Sequence, residues 1–77
     1  MITGRQIRAA RALLGLTGQE LADKCSISLK TLRRYEPQDG VPNGSSKVLE
    51  TIEKTLVESG VEFVGDSENP GVKLKAK

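Results

Sequence analysis

The 77-residue sequence has no histidine or tryptophan, and it has only one cysteine, one tyrosine and one phenylalanine. Without histidine, Cys25 cannot complete the usual zinc-ligand sets, and neither a Ser-His-Asp triad nor a Cys-His pair can form. A single cysteine also excludes an internal disulfide, which favours a reducing compartment. These gaps argue against an enzyme and predict a protein that needs no metal and no cofactor.

Long apolar segments are missing as well. No apolar run approaches the roughly 20 residues that span a bilayer. After Met1 the sequence continues Ile2-Thr3-Gly4-Arg5, without the apolar region of a signal peptide. With 36% hydrophobic and 29% charged residues, the composition is that of one small folded domain. We expect a cytoplasmic protein without membrane contact.

The charges are segregated along the chain. Residues 1–35 contain seven basic and two acidic side chains, a net charge of +5. Residues 36–70 contain two basic and eight acidic side chains, a net charge of −6, and the lysines Lys73, Lys75 and Lys77 follow. The first half of the chain should therefore attract a polyanion that the second half repels.

Helix starts are marked by two capping boxes, in which a threonine precedes a glutamine or glutamate by three residues, at Thr3 and at Thr17. Ser28 and Ser45 or Ser46 are further N-cap candidates. Apolar residues at helical spacing follow each start, and Gly15 and Gly60 are typical C-terminal stops. The pattern predicts four helices, over about residues 4–14, 18–24, 29–35 and 46–59.

The third helix has two distinct sides. Leu32 and Tyr35 are spaced to face the core, which leaves Leu29, Lys30, Arg33 and Arg34 on the outward side and Thr31 at its margin. Cys25 lies on the apolar face of the second helix, where a small core residue is expected. The third helix is thus predicted to present a basic surface.

After the fourth helix the pattern changes from helical to alternating. Residues 61–64 and 72–75 alternate as half-buried strands around a turn-rich stretch at 65–71, and they predict a two-stranded hairpin. An isolated hairpin is marginal in water, so its apolar residues must cover either the domain's own core or a second subunit. We favour the second subunit, contacted through Val61, Phe63, Val72 and Leu74.

Two short helices joined by a tight turn, the second basic and outward-facing, are the parts of a helix-turn-helix. From Leu16 to Ala22 and from Ile27 to Glu36, the sequence resembles the Cro/C1-type helix-turn-helix domain of phage repressors and small bacterial regulators. The resemblance covers roughly residues 3–59. It implies a mainly α, four-helix repressor-like domain at residues 1–60, and the predicted hairpin follows at 61–77 as a C-terminal β-hairpin extension that is a candidate dimerisation element.

The resemblance also implies a DNA-binding surface. The third helix would lie in the major groove, while the start of the second helix and the loop before the fourth would grip the backbone. The residues assigned to DNA in this way are Thr17, Gly18, Gln19, Ser28, Leu29, Lys30, Thr31, Arg33, Arg34, Asn43 and Ser45. An ion pair between Arg11 and Glu36 would hold the third helix against the first.

Three positions depart from the family pattern. Gly18 stands where the family often has a backbone-gripping glutamine, although its N–H can still donate to a phosphate. Ser26 occupies a turn position that is often glycine, so it should adopt the left-handed conformation at modest cost. Pro37 alters a loop that supplies phosphate contacts in relatives.

The sequence therefore predicts a sequence-specific regulator of transcription that binds double-stranded DNA with residues 28–35, most simply as a homodimeric repressor that occupies a promoter. The alternative is a protein-interaction module, or an antitoxin that binds a partner protein and represses its own operon. Glu50, Glu53 and Glu58 of the fourth helix would then mark the surface for the partner.

Overall fold

The computed structural model describes residues 2–66 and 68–75, so residues 1, 76 and 77 of the predicted domains and residue 67 of the predicted turn lie outside it. The elements are α1 (Gly4–Leu14), α2 (Gly18–Cys25), α3 (Leu29–Tyr35), α4 (Ser46–Glu58), β1 (Val61–Gly65) and β2 (Pro70–Leu74). The predicted fold class, mainly α with a C-terminal two-stranded hairpin, is confirmed. No helix in the described ranges is long and apolar enough to cross a membrane.

Local capping sets the helix ends. At the start of α1, the Thr3 hydroxyl accepts the Gln6 backbone N–H, and Gln6 Oε1 accepts the Thr3 N–H. Thr17 and Glu20 form the same reciprocal pair at the start of α2. Ser26 ends α2 in the left-handed region with φ of +56°, and its N–H donates to the carbonyl oxygen of Asp23. The turn between α2 and α3 therefore forms without glycine, as the sequence predicts.

One apolar core joins the helices to the hairpin. Burying an aliphatic side chain in such a core contributes about 1.5–3 kcal/mol. The apolar faces predicted for the four helices all point into it. Its buried residues are Ile2, Ile7, Ala10, Leu21, Ala22, Cys25, Leu32, Tyr35, Leu49, Ile52, Leu56 and Val61.

The hairpin is longer than predicted. β1 pairs antiparallel with β2, with Val61 opposite Leu74 and Gly65 opposite Pro70. Pairing continues to that last pair because the Asp66 carboxylate closes the turn, accepting the backbone N–H groups of Glu68 and Asn69 at 2.9 and 2.8 Å. These hydrogen bonds lower the pKa of Asp66, so the turn is tied by an ionised side chain at neutral pH.

The hairpin packs on the domain's own helices. Val61, expected in a subunit contact, is instead completely buried in the core, because β1 starts three residues after α4 ends and packs against that helix. Phe63 and Val72 are partly buried against the same core, and only Leu74 is largely exposed, at 45%. Of the four residues predicted to dimerise, Leu74 alone is exposed rather than buried or partly buried.

Candidate nucleic-acid interface

The seven-residue helix α3 has one side in the core and the other in solvent. Leu32 and Tyr35 are buried, while Lys30, Arg33 and Arg34 are exposed. Residues three and four positions apart are neighbours on a helix surface, so these three basic side chains share one face. The structure thus brings together the cationic residues that the sequence assigns to the site.

The first turn of α3 is fixed by hydroxyl groups. The Ser28 side chain accepts the Thr31 backbone N–H at 3.1 Å, and the two hydroxyl oxygens lie 2.9 Å apart. Ser28 is exposed and Thr31 is half-buried. Both hydroxyls therefore lie at the N-terminal end of α3, where these short side chains place a donor or an acceptor close to the helix surface.

Leu29 does not face outward as predicted. It is half-buried and packs against the core, and a Cβ placed on Gly18 would lie only 3.1 Å from Leu29 Cδ1. The absence of a side chain at Gly18 leaves room for Leu29 to turn toward α2. Leu29 therefore joins the two helices of the motif, and only part of its surface remains open to solvent.

The start of α2 borders the same surface. Thr17 and Gln19 are exposed, and Gln19 Nε2 donates to the Asp23 carboxylate at 2.8 Å. The Glu20 carboxylate accepts the Thr17 N–H, and this bond, followed by that from the Thr17 hydroxyl, lowers the pKa of Glu20. A concavity of about 350 Å³ separates this helix start from Leu29 and Arg33 of α3.

Two arginines of α1 hold the C-terminal end of α3. Arg11 Nε and Nη2 donate to the two carboxylate oxygens of Glu36 at 2.8 and 3.0 Å, with side chains only 25% and 13% exposed. Arg11 also donates to the Leu16 carbonyl, and Arg8 donates to that of Glu36. The role of Arg8 was not predicted, although its position three residues before Arg11 places both on one side of α1.

The loop before α4 is attached to the end of α3. The Tyr35 hydroxyl accepts the Ser45 N–H at 3.1 Å, while Gln38 accepts the Asn43 N–H and donates to the Arg34 carbonyl. Gly44 has φ of +147°, and a Cβ there would collide with the Tyr35 hydroxyl. The sequence indicates a core position for Tyr35 but not this second contact, which depends on a residue ten positions away.

The thiol and the acidic side chains bear on catalytic and metal-binding chemistry in the described part of the chain. Burial raises the pKa of the Cys25 thiol, which is the reverse of what a nucleophilic thiolate requires. Within residues 2–66 and 68–75, no cluster of three acidic or cysteine side chains is arranged to hold a metal ion.

Together, α2, the turn at Ser26 and the cationic α3 define a helix-turn-helix domain. Residues 7–43 match the profile of the family described as Helix-turn-helix, in agreement with the resemblance of this part of the chain to the Cro/C1 type. The match supports a DNA-binding regulator in general terms. No curated protein matches the sequence.

Proposed function

We propose that this chain is a sequence-specific transcriptional regulator that binds double-stranded DNA and represses by occupying a promoter. The observation that carries the proposal is the cationic face of α3. Lys30, Arg33 and Arg34 are exposed together, while the opposite side of the helix is anchored in the core by Leu32 and Tyr35. Residues 28–35 would enter the major groove, which admits an α-helix.

The three basic residues have separate parts in this proposal. Arginine pairs with O6 and N7 of guanine, and each good bidentate contact discriminates against a wrong base by about 1–3 kcal/mol. Arg33 and Arg34 are therefore the proposed base-reading residues. Lys30 and the hydroxyls of Ser28 and Thr31, near the N-terminal end of α3, would contact bases or the adjacent phosphates. Leu29 would act by holding the first turn of α3 against Gly18.

Contacts to the DNA backbone would flank α3 on both sides. Thr17, Gly18 and Gln19 lie at the N-terminus of α2, where backbone N–H groups and the helix dipole favour a phosphate. Asn43 and Ser45 lie in the loop attached to α3, so their distance from the recognition helix is fixed. Such contacts set the register of a protein on DNA but carry no sequence information.

A random duplex library selected with the full chain, followed by titration of the recovered site over a range of salt concentrations, tests the proposal. Two double variants, R33A/R34A and R5A/K24A, each remove two exposed positive charges. We expect R33A/R34A to weaken specific binding by at least about 100-fold and to relax the preference at guanine positions. R5A/K24A should lose less than about tenfold, through the salt-dependent electrostatic contribution alone. Equal losses in both variants would contradict base reading by α3.

Repression is tested separately with a reporter promoter that overlaps the selected site. Wild-type protein should lower transcription, and R33A/R34A should restore it. We propose that the active species is a homodimer, because two-fold proteins match half-sites about one helical turn apart. A consensus without two-fold symmetry would contradict this part of the proposal.

A further inference from the structure

Two neighbouring concavities of about 430 and 320 Å³ share the side chain of Glu53. The first lies between the N-terminal segment, α4 and β1, and the second runs along α4. We call their combined surface the α4 groove, defined by Val41, Glu50, Glu53, Val57, Phe63 and Asp66. Within the described part of the chain, no residue of α2 or α3 lines it, so an occupant of the groove would leave the cationic face of α3 free.

The α4 groove is apolar and acidic at once. Val41 and Val57 are 42% and 43% exposed, which makes them two of the four large hydrophobic residues exposed in residues 2–66 and 68–75. Glu50, Glu53 and Asp66 surround them, and Lys54 is the one cation among the described lining residues. A surface of this kind is complementary to an extended segment that carries both an exposed apolar side chain and cations.

The end of β2 in the same chain has this complementary character. Leu74 is 45% exposed on the face of the strand that it shares with Val61, and Lys73 and Lys75, its neighbours in the chain, are exposed on the other side. Lys73 Nζ lies 3.9 Å from the Glu62 carboxylate, but both side chains are well exposed, and such surface pairs contribute little. The segment Lys73–Lys75 can therefore exchange this contact for another.

We propose that the segment Lys73–Lys75 of one copy docks in the α4 groove of a second copy, and that the reciprocal contact forms at the same time. Because every chain carries both surfaces, the pair of contacts is compatible with a two-fold dimer. This inference names the contact surface of the homodimer in the proposed function. Its test uses no DNA, so its failure and the failure of DNA binding are distinguishable.

Sedimentation equilibrium of the full chain, from 1 to several hundred micromolar, measures the association. We expect reversible formation of a species with twice the 8.3 kDa mass of the chain. Its dissociation constant should rise with salt, because the contact between exposed charges is screened. A chain that remains monomeric over the whole range would overturn the proposal.

Charge reversal then identifies the surfaces. One variant carries E50K/E53K in the groove, and the other carries K73E/K75E in the docking segment. In each variant alone, like charges meet at both contacts, so the dissociation constant should rise at least about tenfold. An equimolar mixture of the two should associate about as strongly as wild type, because a heterodimer has opposite charges at both contacts.

Two further variants complete the test. E58K reverses a charge on the same helix but outside the groove, and it should leave the dissociation constant within about twofold of wild type. L74S removes the apolar contact without a charge change, and it should weaken the dimer. Far-UV circular dichroism checks that each variant keeps the helical content of wild type.

Several results would overturn the proposal. One is a dimer whose dissociation constant changes in neither charge-reversal variant. Another is a mixture of the two variants that fails to associate. A monomer that instead captures an added Lys-Leu-Lys peptide in a Glu53-dependent manner would assign the groove to a basic segment of another protein.

Discussion

At the scale of single residues, Gln6 links two distant parts of the fold. Its Oε1 accepts the Thr3 N–H in the capping box of α1, and its Nε2 donates to the carbonyl oxygens of Gly71 at 2.9 Å and Val64 at 3.4 Å. The residue is 7% exposed, so these polar groups are shielded from water. One amide side chain therefore ties the start of α1 to both strands of the hairpin.

Replacing Gln6 separates these two roles. Q6E keeps an acceptor for the Thr3 N–H but turns a donor into a carboxylate oxygen that faces two carbonyls. We expect it to lower the free energy of unfolding by about 1–3 kcal/mol, the cost of unsatisfied buried polar groups. Urea denaturation followed by circular dichroism measures the change.

The matched control for Q6E is E20Q. Glu20 occupies the same position in the capping box of α2 but is exposed and has no second partner in the hairpin. Glutamine keeps an acceptor for the Thr17 N–H, so E20Q should change the free energy of unfolding much less than Q6E does. If Q6E and E20Q are equally stable relative to wild type, the bonds from Gln6 Nε2 are unimportant for the fold.

The sequence indicates the role of a residue where its partner lies only a few positions away in the chain. The capping pairs at Thr3 and Thr17 span three residues, so their spacing alone reveals them. The bond from Gln6 to Gly71 spans 65 residues, and the contact of Leu29 with Gly18 depends on how two helices approach. No local pattern carries that information, which is why Leu29 was wrongly expected to face outward.

At the scale of elements, α3 depends on its neighbours. It has seven residues, and isolated helices of this length are unstable in water. Leu32 and Tyr35 bury one side, and Arg11 holds the far end through Glu36. The position of the proposed reading surface is thus set by α1 as much as by α3 itself.

A double-mutant cycle on Arg11 and Glu36 measures this support. Both side chains are largely buried and form two hydrogen bonds, so R11A and E36A should each cost about 1.5–3 kcal/mol. The two losses should be less than additive, with a coupling of at least about 1 kcal/mol. Thermal and urea unfolding of the single and double variants provide the values.

The pair between Arg5 and Asp39 is the control for this cycle. It also joins α1 to the segment after α3, with 3.0 Å between Arg5 Nε and Asp39 Oδ1, but its side chains are 58% and 75% exposed. We expect a coupling below about 0.5 kcal/mol, since solvent screens such a pair. Equal coupling energies in the two pairs would mean that burial does not strengthen the interaction between Arg11 and Glu36.

Element boundaries followed from the sequence wherever a capping residue marks them. All four helix starts coincide with the N-caps at Thr3, Thr17, Ser28 and Ser45. The hairpin was predicted too short, because the turn at Asp66 is closed by a side chain bonding to the backbone rather than by a standard hairpin dipeptide. The packing of Val61 beneath α4 was missed for a different reason, since alternation shows that a strand has an apolar face but not what covers it.

At the scale of the whole molecule, the helices and the hairpin share one core. Val61 lies among the helical core residues, and the Lys75 N–H donates to the Gly60 carbonyl at 2.8 Å. The helical part and the hairpin should therefore unfold in a single transition, as small domains usually do.

Acid should lower the stability of the folded domain through two carboxyl groups, those of Glu20 and Asp66. Hydrogen bonds lower the pKa of Glu20 at the start of α2 and of Asp66 in the hairpin turn. A carboxyl with a lowered folded-state pKa stabilises the protein at neutral pH, and this stabilisation is lost as pH falls from the unfolded pKa through the folded one. Tm should therefore fall below about pH 4.5, and less steeply in E20Q/D66N than in wild type.

Calorimetry between pH 2 and 7 measures this dependence. E58Q removes an exposed carboxylate from α4 outside either capping site, and its Tm should follow the wild-type curve in shape. A slope in E20Q/D66N as steep as that of wild type would show that other carboxyl groups dominate the acid response.

Cys25 lies in the core that the helices and the hairpin share. It is the sole thiol in the sequence, it is 4% exposed, and burial raises its pKa. A thiol reagent therefore reacts with the native chain only during the moments when the core is open, so its labelling rate measures the open population in the unmodified protein. Cys25 thus reports transient opening of the core. Comparing its labelling rate with and without a bound duplex shows how DNA binding changes that opening.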